Sequence, residues 1–227
     1  MSIDRRLFLT GLALMAGGCV STRFDGRPQA AAVRTPAIDP SYLAMYGPID
    51  DEPFPIPAVD LSRVDPKFLR RYVDYDSPYT PGTIVVDPNT RYLYLTMGGG
   101  KALRYGVGVG KEEAFNLTGE AVIARKASWP GWRPTQSMIA REPDRYGPLA
   151  DGLPGGLTNP LGARALYLYR DGRDTLYRIH GTLEPWTIGT MVSSGCIRLM
   201  NQDIIDLHRR VPNGTRVVIM PATGAFV

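Results

Sequence analysis

Cysteine and histidine are nearly absent from this chain, with two of each in 227 residues. Two cysteines exclude a disulfide-stapled scaffold, which needs several bridges. A zinc site needs three or four well-placed ligands. The candidates His180, Cys196 and His208 show neither C-x-x-C nor H-x-x-x-H spacing, so no metal and no cofactor is expected. Long apolar runs are also missing. Past the first segment no tract of 18 apolar residues occurs, so a membrane-spanning helix is excluded there. The formal charge is a mild +4 and the basic residues are scattered, with no Lys/Arg block. Nucleic acid is therefore not expected as a partner. No internal repeat is present.

What is present begins with an export-like segment over residues 1–18. Arg5 and Arg6 precede the short apolar run Leu7 to Ala16, and "DRRLFLT" is similar to a twin-arginine signal. The following "LMAGGC" is similar to a lipobox, with Gly17 and Gly18 before Cys19, although Ala16 stands where leucine is usual. Lipidation of Cys19 would anchor the protein to a membrane. Cleavage elsewhere would release a soluble exported protein. With Cys19 assigned to lipid, Cys196 is an unpaired thiol in an oxidising compartment, where a leftover cysteine is worth examining for chemistry.

Residues 19–80 read as a Pro-rich tether and lead-in, holding nine of the twenty prolines. Stretches such as "DEPFPIPAVD" suit neither helix nor central strand, so residues 20–58 are expected to be extended. "DLSRVDPKFLRRYV" is either a short helix or more linker. From about residue 81 to 222 the pattern is mostly β. "TIVVD" and "RYLYLTM" flank a Pro-Asn-Thr turn, and "ARALYLYRDGRDTLYRIHG" alternates around Asp-Gly, so both read as hairpins. One helix is marked after Asn201, its expected cap, with Ile204, Leu207 and Val211 on one face and Pro212 as a stop. "GVGVGK" is not a phosphate loop, since Glu112 follows the lysine and strands follow the glycines. His208 falls off the apolar stripe and is expected in solvent.

The chemistry-bearing stretch is "IHGTLEPWTIGTMVSSGCIRLMN", residues 179–201. A cysteine nucleophile needs a neighbouring base and donors for the oxyanion. His180 ends an apolar strand and Gly181 lets the chain leave the sheet. Gly195 permits an unusual backbone before Cys196, so the amides of Gly195 and Cys196 can face a substrate carbonyl. Arg198, two residues on, shares a strand face with Cys196 and can favour thiolate or pair with a substrate carboxylate. On spacing alone, a buried structural thiol beside a core histidine fits as well.

Around these residues, "HGT…SSGCIRL", "PGTIVVD", "RYGVGVG", "WPGWRPT", "NPLGARALYL" and "IHGTLEPWTIG" resemble the L,D-transpeptidases of the YkuD/ErfK type, enzymes that cross-link cell walls. The resemblance spans about residues 80–220. It implies a mostly-β sandwich with one or two short helices, and peptidoglycan stem peptides as substrate. It makes Cys196 the nucleophile, His180 the base and the Gly181 carbonyl its orienting partner. Ser193 and Arg198 match the substrate-binding part of the signature. Ser194 stands where the family usually has a second histidine, and can bring only a hydroxyl to the oxyanion region. The resemblance also implies a periplasmic location. The acyl acceptor is left open among a stem-peptide amine, water and the amine of an outer-membrane protein. A non-catalytic wall-binding lipoprotein is the alternative from another class, against which the joint presence of Cys196 and His180 argues. A papain-like peptidase would place its nucleophile early, at a helix start. Tyr167 and Trp186 are expected in packing roles, and "WPGWRPT" through "DGLPGG" as a cleft wall or lid.

Overall fold

The computed structural model describes residues 38–111, 117–193 and 195–222. The export segment, Cys19 and Ser194 lie outside the described residues. The described part falls in one compact unit, Ile38–Val227, and its class is mostly β, as expected.

Eleven strands are described. They are β1 (Arg71–Asp74), β2 (Ile84–Asp87), β3 (Tyr92–Met97), β4 (Lys101–Gly106), β5 (Val109–Gly110) and β6 (Gly119–Ser128), then β7 (Arg164–Arg170), β8 (Arg173–His180), β9 (Met191–Ser193), β10 (Ile197–Arg198) and β11 (Arg216–Ile219). Nine form one mixed sheet in the order β1-β4-β3-β2-β11-β6-β7-β8-β10, while β5 and β9 pair in parallel. Both expected hairpins form. In β2–β3 the Asp87 carboxylate accepts from the Asn89 amide (2.9 Å) and organises the turn. In β7–β8 Asp171 and Gly172 both take positive φ, as a tight two-residue hairpin turn requires.

Four short helices are described where the sequence pattern marks one: α1 (Pro40–Met45), α2 (Gln136–Arg141), α3 (Pro143–Tyr146) and α4 (Asn201–Arg210). The first three run four to six residues, too short for a 3.6-residue period to register. The α4 stripe of Ile204 and Leu207 joins Leu166, Leu168, Ile179 and Ile197 in the main core. Asn201 is not its cap. It is the first helical residue, and its side chain is turned inward to accept from the Ala163 amide (3.0 Å).

The tether reading fails over its described part. Residues 38–69 are folded onto the sheet, with Tyr46, Leu61, Val64, Phe68 and Leu69 forming a second core with Ile188 and Met200. Tyr46 donates to Asp203 Oδ2 (3.2 Å) and accepts from the Arg70 amide (2.7 Å). Glu52 takes the Arg164 guanidinium and the Trp129 indole N–H (2.9 Å), and Gln202 donates to the carbonyls of Gly47 and Pro57 (3.1 Å each). Proline sets the backbone of this segment, but its apolar residues, most of them gathered between Leu61 and Leu69, give it surface to bury, and burial decides. The stretch from Leu61 to Phe68 is neither a continuous helix nor linker. It makes two 3-10 turns, each begun by an aspartate, and runs into β1. His208 is also corrected. It is half-buried, and its Nε2 is enclosed without a hydrogen-bond partner.

Candidate active site

Strand register places the two candidate groups together. β8 and β10 run parallel, with Ile179 opposite Ile197 and His180 opposite Arg198. Both isoleucines are buried in the core. Side chains alternate along a strand, so residues 178 and 180 and residues 196 and 198 point the other way. Cys196 directly precedes β10 and His180 ends β8, so the two come to the same end of this strand pair. There a cleft of about 510 Å³ is lined by Cys196, His180, Ser193 and Arg198. Its far wall is Trp132, Thr135, Met138, Arg141, Tyr146 and Leu153, from the segment expected to wall the cleft. Tyr167 and Trp186 do not line it. Tyr167 is stacked between the guanidiniums of Arg125 (3.4 Å to the ring centroid) and Arg178 (4.2 Å), and Trp186 lies under Arg63 (4.0 Å).

The imidazole is fixed by the chain that follows it. His180 Nδ1 lies 2.6 Å from the Gly181 carbonyl oxygen. A carbonyl only accepts, so Nδ1 carries the proton and the lone pair is on Nε2. Gly181 is glycine for a local reason. A Cβ there would overlap Asn201 Oδ1 and crowd Ile204. Burial lowers the His180 pKa to about 3, and the nearby Arg198 charge pushes the same way. The imidazole is therefore neutral.

Cys196 is partly open to the cleft. Burial pushes its thiol up, against the main-chain N–H and charge of Arg178 and, more weakly, the charge of Arg198. Arg198 was expected to favour thiolate. Its charge acts in that direction, but desolvation is the larger effect and the resting group is the thiol. Arg198 lines the cleft and its guanidinium meets Glu184 (3.3 Å). Arg178 was missed by sequence reasoning, although its position two residues before His180 places it on the same face.

The loop before Cys196 is held by Ser193. Its hydroxyl donates to the Cys196 carbonyl (2.7 Å) and accepts from the Gly195 amide (3.1 Å). Gly195 sits at φ 126°, a backbone that favours glycine. Two expectations change as a result. The Gly195 amide is engaged inside the loop rather than offered to an oxyanion, leaving the Cys196 amide of the pair. Ser193 is buried and occupied in the same way, so it organises the loop rather than offering its hydroxyl to a substrate. The "GVGVGK" glycines serve close packing, as expected: Gly108 exchanges main-chain bonds with Arg198 (2.8 and 2.9 Å), and the Lys111 amide donates to the Ser193 carbonyl (2.9 Å). Among the described residues, no three His, Cys, Asp or Glu side chains gather into a metal-binding group.

Residues 81–219 match the YkuD family model, the L,D-transpeptidase catalytic domain. The chain belongs to this family. It is 37% identical over 139 residues to the probable L,D-transpeptidase YbiS of Escherichia coli (strain K12), covering 60% of this chain and 43% of that protein. It is 31% identical over 144 residues to the putative L,D-transpeptidase YqjB of Bacillus subtilis (strain 168), covering 63% and 73%. A solved structure from Brucella melitensis, named as a probable carnitine operon oxidoreductase, is 46% identical with a TM-score of 0.48, covering 71% of this chain and 99% of that one. The matched region thus spans less than half of YbiS. In this L,D-transpeptidase domain the family match ends with the last residue of β11, and all the cleft residues described above fall inside it.

Proposed function

We propose that the protein is a peptidoglycan L,D-transpeptidase acting through Cys196 and His180. The observation that carries this is one cleft lined by both Cys196 and a buried His180 imidazole, the imidazole held by the Gly181 carbonyl.

The reaction follows from the neutral pair. Cys196 Sγ attacks the carbonyl of the third, L-configured stem residue while His180 Nε2 takes the thiol proton. The Cys196 amide donates to the oxyanion. Collapse breaks the C–N bond, and His180 returns the proton to the departing D-alanine amine, leaving a thioester. An acceptor amine then attacks, His180 takes its proton, the C–S bond breaks and the thiol is restored. A diaminopimelate side-chain amine as acceptor gives a 3→3 cross-link. Stem peptides carry carboxylates, which suits a cleft lined by Arg141, Arg145 and Arg198 with no acidic residue among its described lining. Ser194 stays an oxyanion-region residue in this reading. The export-like segment and the lipobox-like run before Cys19 support a periplasmic enzyme on a lipid anchor in this reading.

The test is incubation of the purified protein with disaccharide-tetrapeptide, with products read by mass. A dimer with loss of D-alanine supports transpeptidation, and tripeptide alone makes water the acceptor. No turnover, with Cys196→Ala equal to wild type, sinks both. A Cys19→Ser variant should lose lipid mass and leave the membrane fraction; persistence there sinks the anchor.

A further inference from the structure

Strand β8 is interrupted before it delivers His180. Its pairing with β7 shifts register between Tyr167 and Tyr169, and Leu176 on the opposing stretch takes φ 64°. A left-handed backbone drives a Cβ toward the following carbonyl, a strain glycine avoids and leucine does not. Packing does not offset it, because the Leu176 side chain is 61% exposed.

The irregularity is nevertheless firmly built. Asp174 Oδ1 accepts from the Leu176 amide (2.8 Å), and the Asp174 carboxylate takes the Arg178 guanidinium in two bonds (2.7 and 2.8 Å). Thr175 Oγ1 donates to the Leu168 carbonyl (2.6 Å) and accepts from the Tyr177 amide (3.2 Å). Strained residues that their surroundings over-determine cluster at functional sites. The location agrees, since Leu176 lines the same cleft as Cys196 and His180. The same Arg178 that Asp174 holds also acts on the Cys196 thiol, drawing its pKa down against the effect of burial. An exposed apolar group in an arginine-lined cleft suits a ligand side chain with a methylene stem and a charged end.

We propose that Leu176 is a substrate-contact residue, an apolar lip that packs on the methylene stem of a long dicarboxylic residue beside the scissile bond. This rests on the stem-peptide reading above, in which that residue is of the diaminopimelate type. A leucine that loses about half its exposed surface on binding changes affinity about five- to tenfold.

The experiment compares full-length wild type, Leu176→Ala and Leu176→Gly on two tetrapeptide stems, one with diaminopimelate and one with alanine as third residue. Wild type should prefer the long side chain. Both variants should lose about five- to tenfold in kcat/KM on it, through KM, and change little on the short one. Leu176→Gly should also melt at or above the temperature of Leu176→Ala, because it sheds the strain. An unchanged preference in both variants, with or without a fall in melting temperature, overturns the proposal. Failure of wild type to release D-alanine from either stem overturns the stem-peptide reading and this inference with it.

Discussion

A thiol and an imidazole that are both uncharged at rest make a different nucleophile from a thiolate–imidazolium pair. Burial sets this state, raising Cys196 and lowering His180 to about 3. The thiolate fraction at neutral pH is then small, and alkylation by iodoacetamide should be slower than for a free thiol and rise with pH beyond the ordinary cysteine range. Rapid alkylation at pH 6 that does not vary with pH would show an ion pair instead. The Gly181 carbonyl is the other determinant at this scale. Gly181→Ala must displace Asn201 or the carbonyl that holds Nδ1. We expect a loss of about 1–3 kcal/mol in stability from overpacking, read by denaturant melts. The fall in kcat should exceed tenfold, because the imidazole loses its tautomer and aim. A variant that melts lower with kcat intact would separate the carbonyl from catalysis.

The elements show why part of the site was legible in the sequence and part was not. β-hairpins and α4 are written in local alternation, turn residues and a single apolar stripe, so they could be read directly. Cys196 and His180 were legible because rare residue types in a distinctive local setting stand out. The Ser193 staple was not, since a serine hydroxyl can bond a ligand or its own loop and only the fold decides. The docked segment 38–69 was misread because proline content is visible locally while its partners, Asp203, Gln202 and Arg164, lie more than a hundred residues away. The loop joining β9 to β10 yields a prediction of its own. Ser193→Ala removes both bonds that hold the Cys196 approach, at about 1–2 kcal/mol in stability. The fall in kcat/KM should be larger than that cost implies, at least tenfold, with Cys196 still alkylated. Equal small effects on melting and turnover would make Ser193 a bystander.

Across the whole molecule, one buried carboxyl ties the docked segment to α4, whose first residue packs against Gly181 beside the candidate cleft. Asp203 is fully buried on α4, bonded by Tyr46, with Arg70 Nε at 3.7 Å from its second oxygen. Asp206 sits one turn-face away and takes Arg70 (2.8 Å), the Tyr105 hydroxyl (2.7 Å) and Arg210 (2.8 Å), so the cation is shared. Burial raises Asp203 to about 7, with Arg70 opposing. Unfolded, the carboxyl titrates near 3.8. Between those values the native state holds a proton that the unfolded chain releases, so this group makes stability fall as pH rises from about 4 to about 7. The two histidines act in the opposite sense. His180 and His208 are lowered to about 3 and about 4 from 6.5, so their contribution to stability is lost as pH falls below the unfolded value. Comparing Asp203→Asn with wild type cancels the histidines and isolates the carboxyl. Asparagine keeps an oxygen for Tyr46 and cannot titrate. The variant's stability relative to wild type should therefore climb by about 1–4 kcal/mol between pH 4 and pH 7.5, and level off above. Denaturant unfolding at closely spaced pH values measures it. A flat difference would mean that Arg70 keeps Asp203 ionised in the folded protein throughout, and that the segment 38–69 is held by an ion pair rather than by a protonated acid.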